Sequence, residues 1–171
     1  MKNAIACIAV AALAAGCASM PPPGPRASAK LEPTKGNTAN GTVTFTQKGG
    51  KVLVEARVAG LAPGSHGFHV HEKGDCSSGD GMSAGGHFNP LGKGHGHMSD
   101  VGKHAGDLPN LRADAYGVAA FSVEADGITV GSGATDIVGR GLIVHRDPDD
   151  YKSQPVGNAG PRLACAVIAK G

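Results

Sequence analysis

The chain has 171 residues, a length that suits one domain. Twenty-eight glycines and eleven prolines mark many turns, and six aromatics with no Trp leave a core to be built from Val, Leu, Ile and Ala. A formal charge of +2 is nearly balanced and argues against a nucleic-acid binder, which would carry a basic stripe or patch.

The first segment reads as an address. Lys2 is followed by "AIACIAVAALAA", an apolar run of signal-peptide length and too short to span a bilayer comfortably. It ends in "LAAGC", which resembles a bacterial lipobox, although Ala14 stands where Leu is commoner. The pattern predicts a signal peptide over 1–16 and a lipid on Cys17, with plain cleavage and export as the alternative. Residues 17–35 are rich in Pro, Ala and Ser and read as a flexible tether. The folded domain is therefore expected over 36–171.

Past Gly36 the pattern is short alternating runs. "GTVTFTQ" and "KVLVEARVAG" flank a Gly turn and read as a β-hairpin. "GSHGFHVHE", "AYGVAAFSVEA", "ITVGS", "GRGLIVHRD" and "RLACAVIAK" supply further strands. No stretch holds a long helical period, so the fold class is all-β, a sandwich or barrel. Residues 72–112 differ, being long, polar and Gly-rich, and an ordered loop of that length needs something to pin it.

Cysteine usage offers one pin. Cys7 leaves with the signal and Cys17 is the lipid site. Cys76 and Cys165 remain, 89 residues apart, and in an exported chain they favour a disulfide over two buried thiols. The chain-entropy model gives such a loop about 4–5 kcal/mol as an upper value.

Metal offers the other. His69 and His71 flank Val70, and on a strand both rings share one face while Val70 points to the other. His145 ends the apolar run "GLIVH". In the polar stretch, His87, His95, His104 and Asp107 are nitrogen and oxygen donors of the kind zinc takes, a loosely scavenging His-rich loop being the alternative. His97 adds a fourth histidine to that stretch.

The blocks "GFHVHEKGDC", "GGHFNP", "HAGDLP", "GRGLIVH" and "GNAGPRLACAVI" occur in this order. Together they resemble the copper/zinc superoxide dismutase family, in its exported bacterial lipoprotein branch, over roughly residues 36–171. The resemblance implies a Greek-key β-sandwich or barrel with long metal-binding loops. It implies copper on His69, His71, His87 and His145, and zinc on His87, His95, His104 and Asp107, with His87 bridging. It pairs Cys76 with Cys165, places Arg162 beside copper as the anion receptor, and gives Asp149 the part of linking His69 to His95. Intervals of 8 and 9 from His87 to His95 to His104 match the family, so His97 is the spare, a solvent-facing residue in a turn. His66 is read as structural, facing away from His69 on a continuous strand.

The function so implied is disproportionation of superoxide to dioxygen and hydrogen peroxide by copper redox cycling, with Arg162 and His87 as the catalytic groups. The partners are superoxide, a membrane through the lipid anchor only, and no nucleic acid. The bacterial branch holds both monomers and homodimers. Export places the work in the periplasm or at the cell surface. A metal-buffering protein, a copper-only dismutase and a zinc hydrolase are the rivals. The full ligand set and Arg162 oppose the first, His95, His104 and Asp107 oppose the second, and a zinc closed by four protein ligands opposes the third. The loop "DDYKSQPVGNAG" is short, and Lys93, Lys103 and Lys152 stand as candidates for attracting the anion.

Overall fold

The computed structural model describes residues 24–171. The signal segment and Cys17 lie outside the described residues. The hairpin forms as the alternation requires. Strand β2 (Asn40–Lys48) and β3 (Lys51–Ala59) pair from Asn40↔Ala59 to Lys48↔Lys51, and Gly49 takes the positive φ of 58° that the tight turn needs. Val43 and Phe45 face inward with Val52, Val54, Ala56 and Val58. Thr42, Thr44, Glu55 and Arg57 take exposed alternate positions, with half-buried Leu53 among them.

The other strands are β1 (Arg26–Pro33), β4 (Gly64–His66), β5 (Phe68–His71), β6 (Leu111–Ala113), β7 (Ala119–Ala125), β8 (Gly141–His145), β9 (Arg162–Val167) and β10 (Ala169–Lys170). An antiparallel sheet runs β5-β8-β9-β1-β2-β3-β7, with β10 added on β1 and β4 pairing β6 separately. The non-consecutive neighbours β3/β7, β5/β8 and β9/β1 are the crossovers of a Greek-key β-sandwich. Phe68 on one edge strand meets Phe121 on the other at 6.0 Å between ring centroids, so the sheet curls and its edges meet over the core.

Three expectations need correction. The tether does not reach residue 35: Arg26–Pro33 is β1, paired with β2, β9 and β10. Ala27, Ala29 and Leu31 are buried while Arg26, Ser28 and Lys30 are exposed. The small inward residues made this alternation look like linker composition. "ITVGS" is not a strand. Ile128 and Val130 are buried, but the backbone turns through Gly131 and Gly133, both at positive φ, and only Thr129↔Asp136 pair. "GSHGFHVH" is broken at Gly67, where a Cβ would meet Ala159, His69 and His145. His66 is therefore not on one strand with His69; its ring lies buried between the carbonyls of His145 (2.9 Å) and Ala62 (2.8 Å).

Candidate metal centre

Strand β5 is an edge of the main sheet, and the metal centre is built on it. Its free side is covered by two pieces of the polar loop. Val70 N–H donates to Gly106 O (3.0 Å), Phe88 N–H to Val70 O (2.8 Å) and Glu72 N–H to Gly86 O (3.0 Å). Bridges His71↔His87 and His69↔Asp107 follow. The close approach depends on Gly106, because a Cβ there would strike Val70 O. The alternation of β5 turns Val70 into the core and both histidines to the loops.

The result is two groups that share one residue. His69, His71, His87 and His145 offer ring nitrogens within 4.8 Å of one another, and so do the donors of His87, His95, His104 and Asp107. All seven side chains are buried. In the first group each ring has one nitrogen engaged. His69 Nε2 donates to Asp149 Oδ2 (2.7 Å), His71 Nδ1 to Gly85 O (3.0 Å) and His145 Nδ1 to Gly160 O (3.0 Å). These oxygens only accept, so the facing nitrogens carry the hydrogens and the others present lone pairs. His69 Nδ1, His71 Nε2, His87 Nε2 and His145 Nε2 are buried and have no protein partner. Buried polar atoms left unpaired cost about 1–3 kcal/mol each, and four converging lone pairs find their natural partner in a metal ion. Burial pushes His87 down to about 4 and His145 down to about 3, and holds His71 well below its ordinary value, so these rings are neutral donors at pH 7. An all-imidazole set suits copper.

The second group is carboxylate-centred. Asp107 Oδ1 lies 2.9 Å from His87 Nδ1, 3.0 Å from His95 Nδ1 and 3.4 Å from His104 Nδ1. Its Oδ2 accepts the N–H groups of His104 (3.0 Å) and Gly96 (3.1 Å), which fixes the carboxylate. Burial works to raise Asp107, but the imidazoles of His104, His87 and His95 around it hold it far below the carboxylate range. The N₃O donor set suits tetrahedral zinc.

Asp149 joins the groups, with Oδ1 on His95 Nε2 (2.8 Å) and Oδ2 on His69 Nε2 (2.7 Å). Gly157 packs over this bridge at φ 66°; a Cβ there would strike Asp149 Oδ1 and come within 2.6 Å of His95 Nε2. Burial opposes a charge on His95, but hydrogen bonds and charge from Asp107 and Asp149 outweigh it and raise the ring to about 9.

Arg162 opens β9 and pairs with His145 across the sheet. Its Nη1 donates to Gly81 O and its Nη2 to Gly85 O, each at 2.6 Å. Gly85 O also accepts from His71, so one carbonyl ties the guanidinium to the first group. The disulfide Cys76–Cys165 anchors this loop to β9, the strand that carries Arg162.

His97 belongs to neither group. Its Nδ1 is engaged within its own turn, 2.9 Å from Ser99 Oγ and accepting the Ser99 N–H at 3.3 Å. It is half-buried, its ring edge-on to Tyr151 at 4.7 Å, rather than free in solvent. Lys103 is buried and paired with Asp126 at 3.3 Å, so its charge is already used.

Sequence reasoning missed Asn110, Tyr151, Gln154 and Gly157. Asn110 grips the backbone of Asp149 twice, from Nδ2 to its O (3.0 Å) and from its N–H to Oδ1 (2.9 Å). Tyr151 Oη accepts the Asn110 N–H at 2.8 Å. Amides and a glycine in a polar loop carry no periodic signal; the isolated aromatic Tyr151 is the one residue whose type could have drawn attention there.

An all-β scaffold with a nitrogen-rich site, a carboxylate-centred site and a shared imidazole defines a two-metal protein. A family model described as "Copper/zinc superoxide dismutase (SODC)" matches residues 39–168. The solved structure of the clock protein EA4 shares 45% sequence identity and a TM-score of 0.79, over 88% of this chain and 97% of that one. The chain belongs to the copper/zinc superoxide dismutase family, and copper, zinc and the dismutase activity come with that membership.

Proposed function

We propose that this enzyme disproportionates superoxide outside the cytoplasm, with the residues in the parts that follow. His69 Nδ1 and the Nε2 atoms of His71, His87 and His145 hold copper. His87, His95 and His104 through Nδ1, with Asp107 Oδ1, hold zinc. Copper, when bound, supplies the one-electron redox change; zinc has none to offer. Two superoxide anions and two protons give dioxygen and hydrogen peroxide. Arg162 binds and orients the anion, its two carbonyl bonds fixing the guanidinium before the anion arrives. His87 Nε2 has no protein partner; it would hold a proton only while copper is not bound to it, and would then pass that proton to the reduced product. Asp149 fixes the tautomers of His69 and His95 through their second nitrogens.

The location rests on the signal pattern over 1–16, on "LAAGC" before Cys17, and on the disulfide, which persists in oxidising compartments. The protective role in the periplasm or at the cell surface follows from that location. The observation that carries the chemistry is the convergence of four unpaired buried ring nitrogens. Metal content and superoxide consumption on one purified sample test it. One copper and one zinc per chain are expected, with activity lost on copper removal and regained on its return. Activity that survives without copper sinks the proposal.

A further inference from the structure

We propose that Gln154 is a positioning residue for the zinc ligand His95; this rests on the ligand reading above. The other histidines of the two groups are held locally. His69, His71 and His145 lie on β5 and β8, and His87 is bridged to His71. His104 is closed on Asp107, its N–H on Oδ2 and its carbonyl accepting the Asp107 N–H at 3.3 Å. His95 stands in a stretch, residues 92–97, with no strand, helix or turn. Its N–H donates to Gln154 Oε1 and its carbonyl accepts from Gln154 Nε2, both at 2.8 Å. One side-chain amide thus does for His95 what a neighbouring strand does elsewhere.

The amide is itself on a fixed support. Asp150 Oδ1 accepts the N–H groups of Lys152 (2.9 Å) and Ser153 (2.8 Å), and the turn closes from Gly157 N–H to Ser153 O (2.7 Å) and from Asp150 N–H to Gly157 O (2.9 Å). Asp149, beside this turn, bonds the far side of the His95 ring. The backbone of His95 is therefore set by Gln154 and its ring by Asp149, two residues of one short loop. Between them they leave Nδ1 one direction, toward Asp107. Tyr151 extends the grip to His97 and Asn110. Gln154 is itself exposed, so its loss removes the grip without opening the core.

Fully metallated protein is mixed with excess chromogenic chelator and zinc release is timed. In parallel, Co(II) is placed in the zinc site and its visible bands are recorded with copper present. Gln154→Ala is expected to speed zinc release about tenfold, the order for two hydrogen bonds lost in contact with water. The cobalt bands shift while the copper band stays. Gln154→Glu keeps an acceptor for the His95 N–H, loses the donor, and falls between. Wild-type release and wild-type cobalt bands in Gln154→Ala overturn the proposal. So does an equal change in the copper band, which marks general loosening. His95→Ala in the same assay tests the ligand reading by itself: full zinc retention there removes His95 from the site, whatever Gln154 does.

Discussion

Zinc uptake must expel a proton from His95. Both ring nitrogens face carboxylates, Nδ1 toward Asp107 and Nε2 toward Asp149, and together these raise the ring to about 9. A ring protonated on both nitrogens has no lone pair for a metal, so zinc and the Nδ1 proton compete. At pH 7 about one ring in a hundred is deprotonated, and at pH 9 about half are. Apparent zinc affinity should therefore rise about fiftyfold from pH 7 to pH 9, with close to one proton released per zinc at pH 7. Burial already holds His87 at about 4, so it adds no slope in this window. Zinc titration calorimetry in two buffers of different ionisation enthalpy counts the proton. Asp149→Asn removes one of the two carboxylates, so its proton release at pH 7 should fall and its affinity curve move to lower pH. The sign reverses for the metal-free protein. A raised His95 contributes stability that is fully present below about 6.5 and lost as pH rises through about 9. Metal-free melting should fall across the range in which zinc binding tightens. Flat zinc affinity from pH 7 to 9, with no proton released, refutes the reasoning.

Other outcomes are open to direct measurement. Arg162→Ala should lower the superoxide rate about 10- to 100-fold and flatten its salt dependence while copper stays bound, the scale of losing one preorganised charged group; an unchanged rate removes Arg162 from the site. His97→Ala should keep full zinc, whereas His95→Ala should not, by metal analysis of the purified variants. Gly157→Ala drives a methyl into the Asp149–His95 bond and should cost zinc affinity well before it disturbs the sheet, read by zinc titration beside thermal melting. A chain begun at residue 36 lacks β1, leaves β2 and β9 without their shared partner and exposes the core under Leu31. It should not fold, while a chain begun at residue 24 should, by circular dichroism and metal content.

Period-two patterning made the hairpin of β2 and β3 readable, because Val and Phe alternate there with Thr, Glu and Arg, Leu53 being out of step. The same rule failed at β1, where the inward positions are Ala27, Ala29 and Leu31 and the strand is fenced by prolines. It misfired at "ITVGS", where Ile128 and Val130 are buried by a loop that folds back through glycines. The metal groups were legible for a different reason. Ligand residues are rare chemical types at separations that survive as motifs, and β5 alone explains why His69 and His71 share a face. What holds the ligands is less legible. Gln154 and Asn110 act through amides on backbone groups 59 and 39 residues away, and no local pattern encodes a partner at that range.

The two kinds of residue meet in the energetics. Five buried ring nitrogens of the two groups have no protein partner. Each costs about 1–3 kcal/mol when left unpaired, a burden of the same order as a domain's whole stability of about 5–15 kcal/mol. Metals bound by these nitrogens would therefore act as part of the fold as well as of the chemistry. A chain that depended on them alone would have to gather seven ligands from two strands and a long loop at the moment of binding. Here the disulfide fixes one end of that loop to β9, Gly106 lets it dock on β5, and Asp149 with Gln154 fixes its middle. The ordering entropy is met by contacts that need no ion, so binding free energy is left to retain the metal.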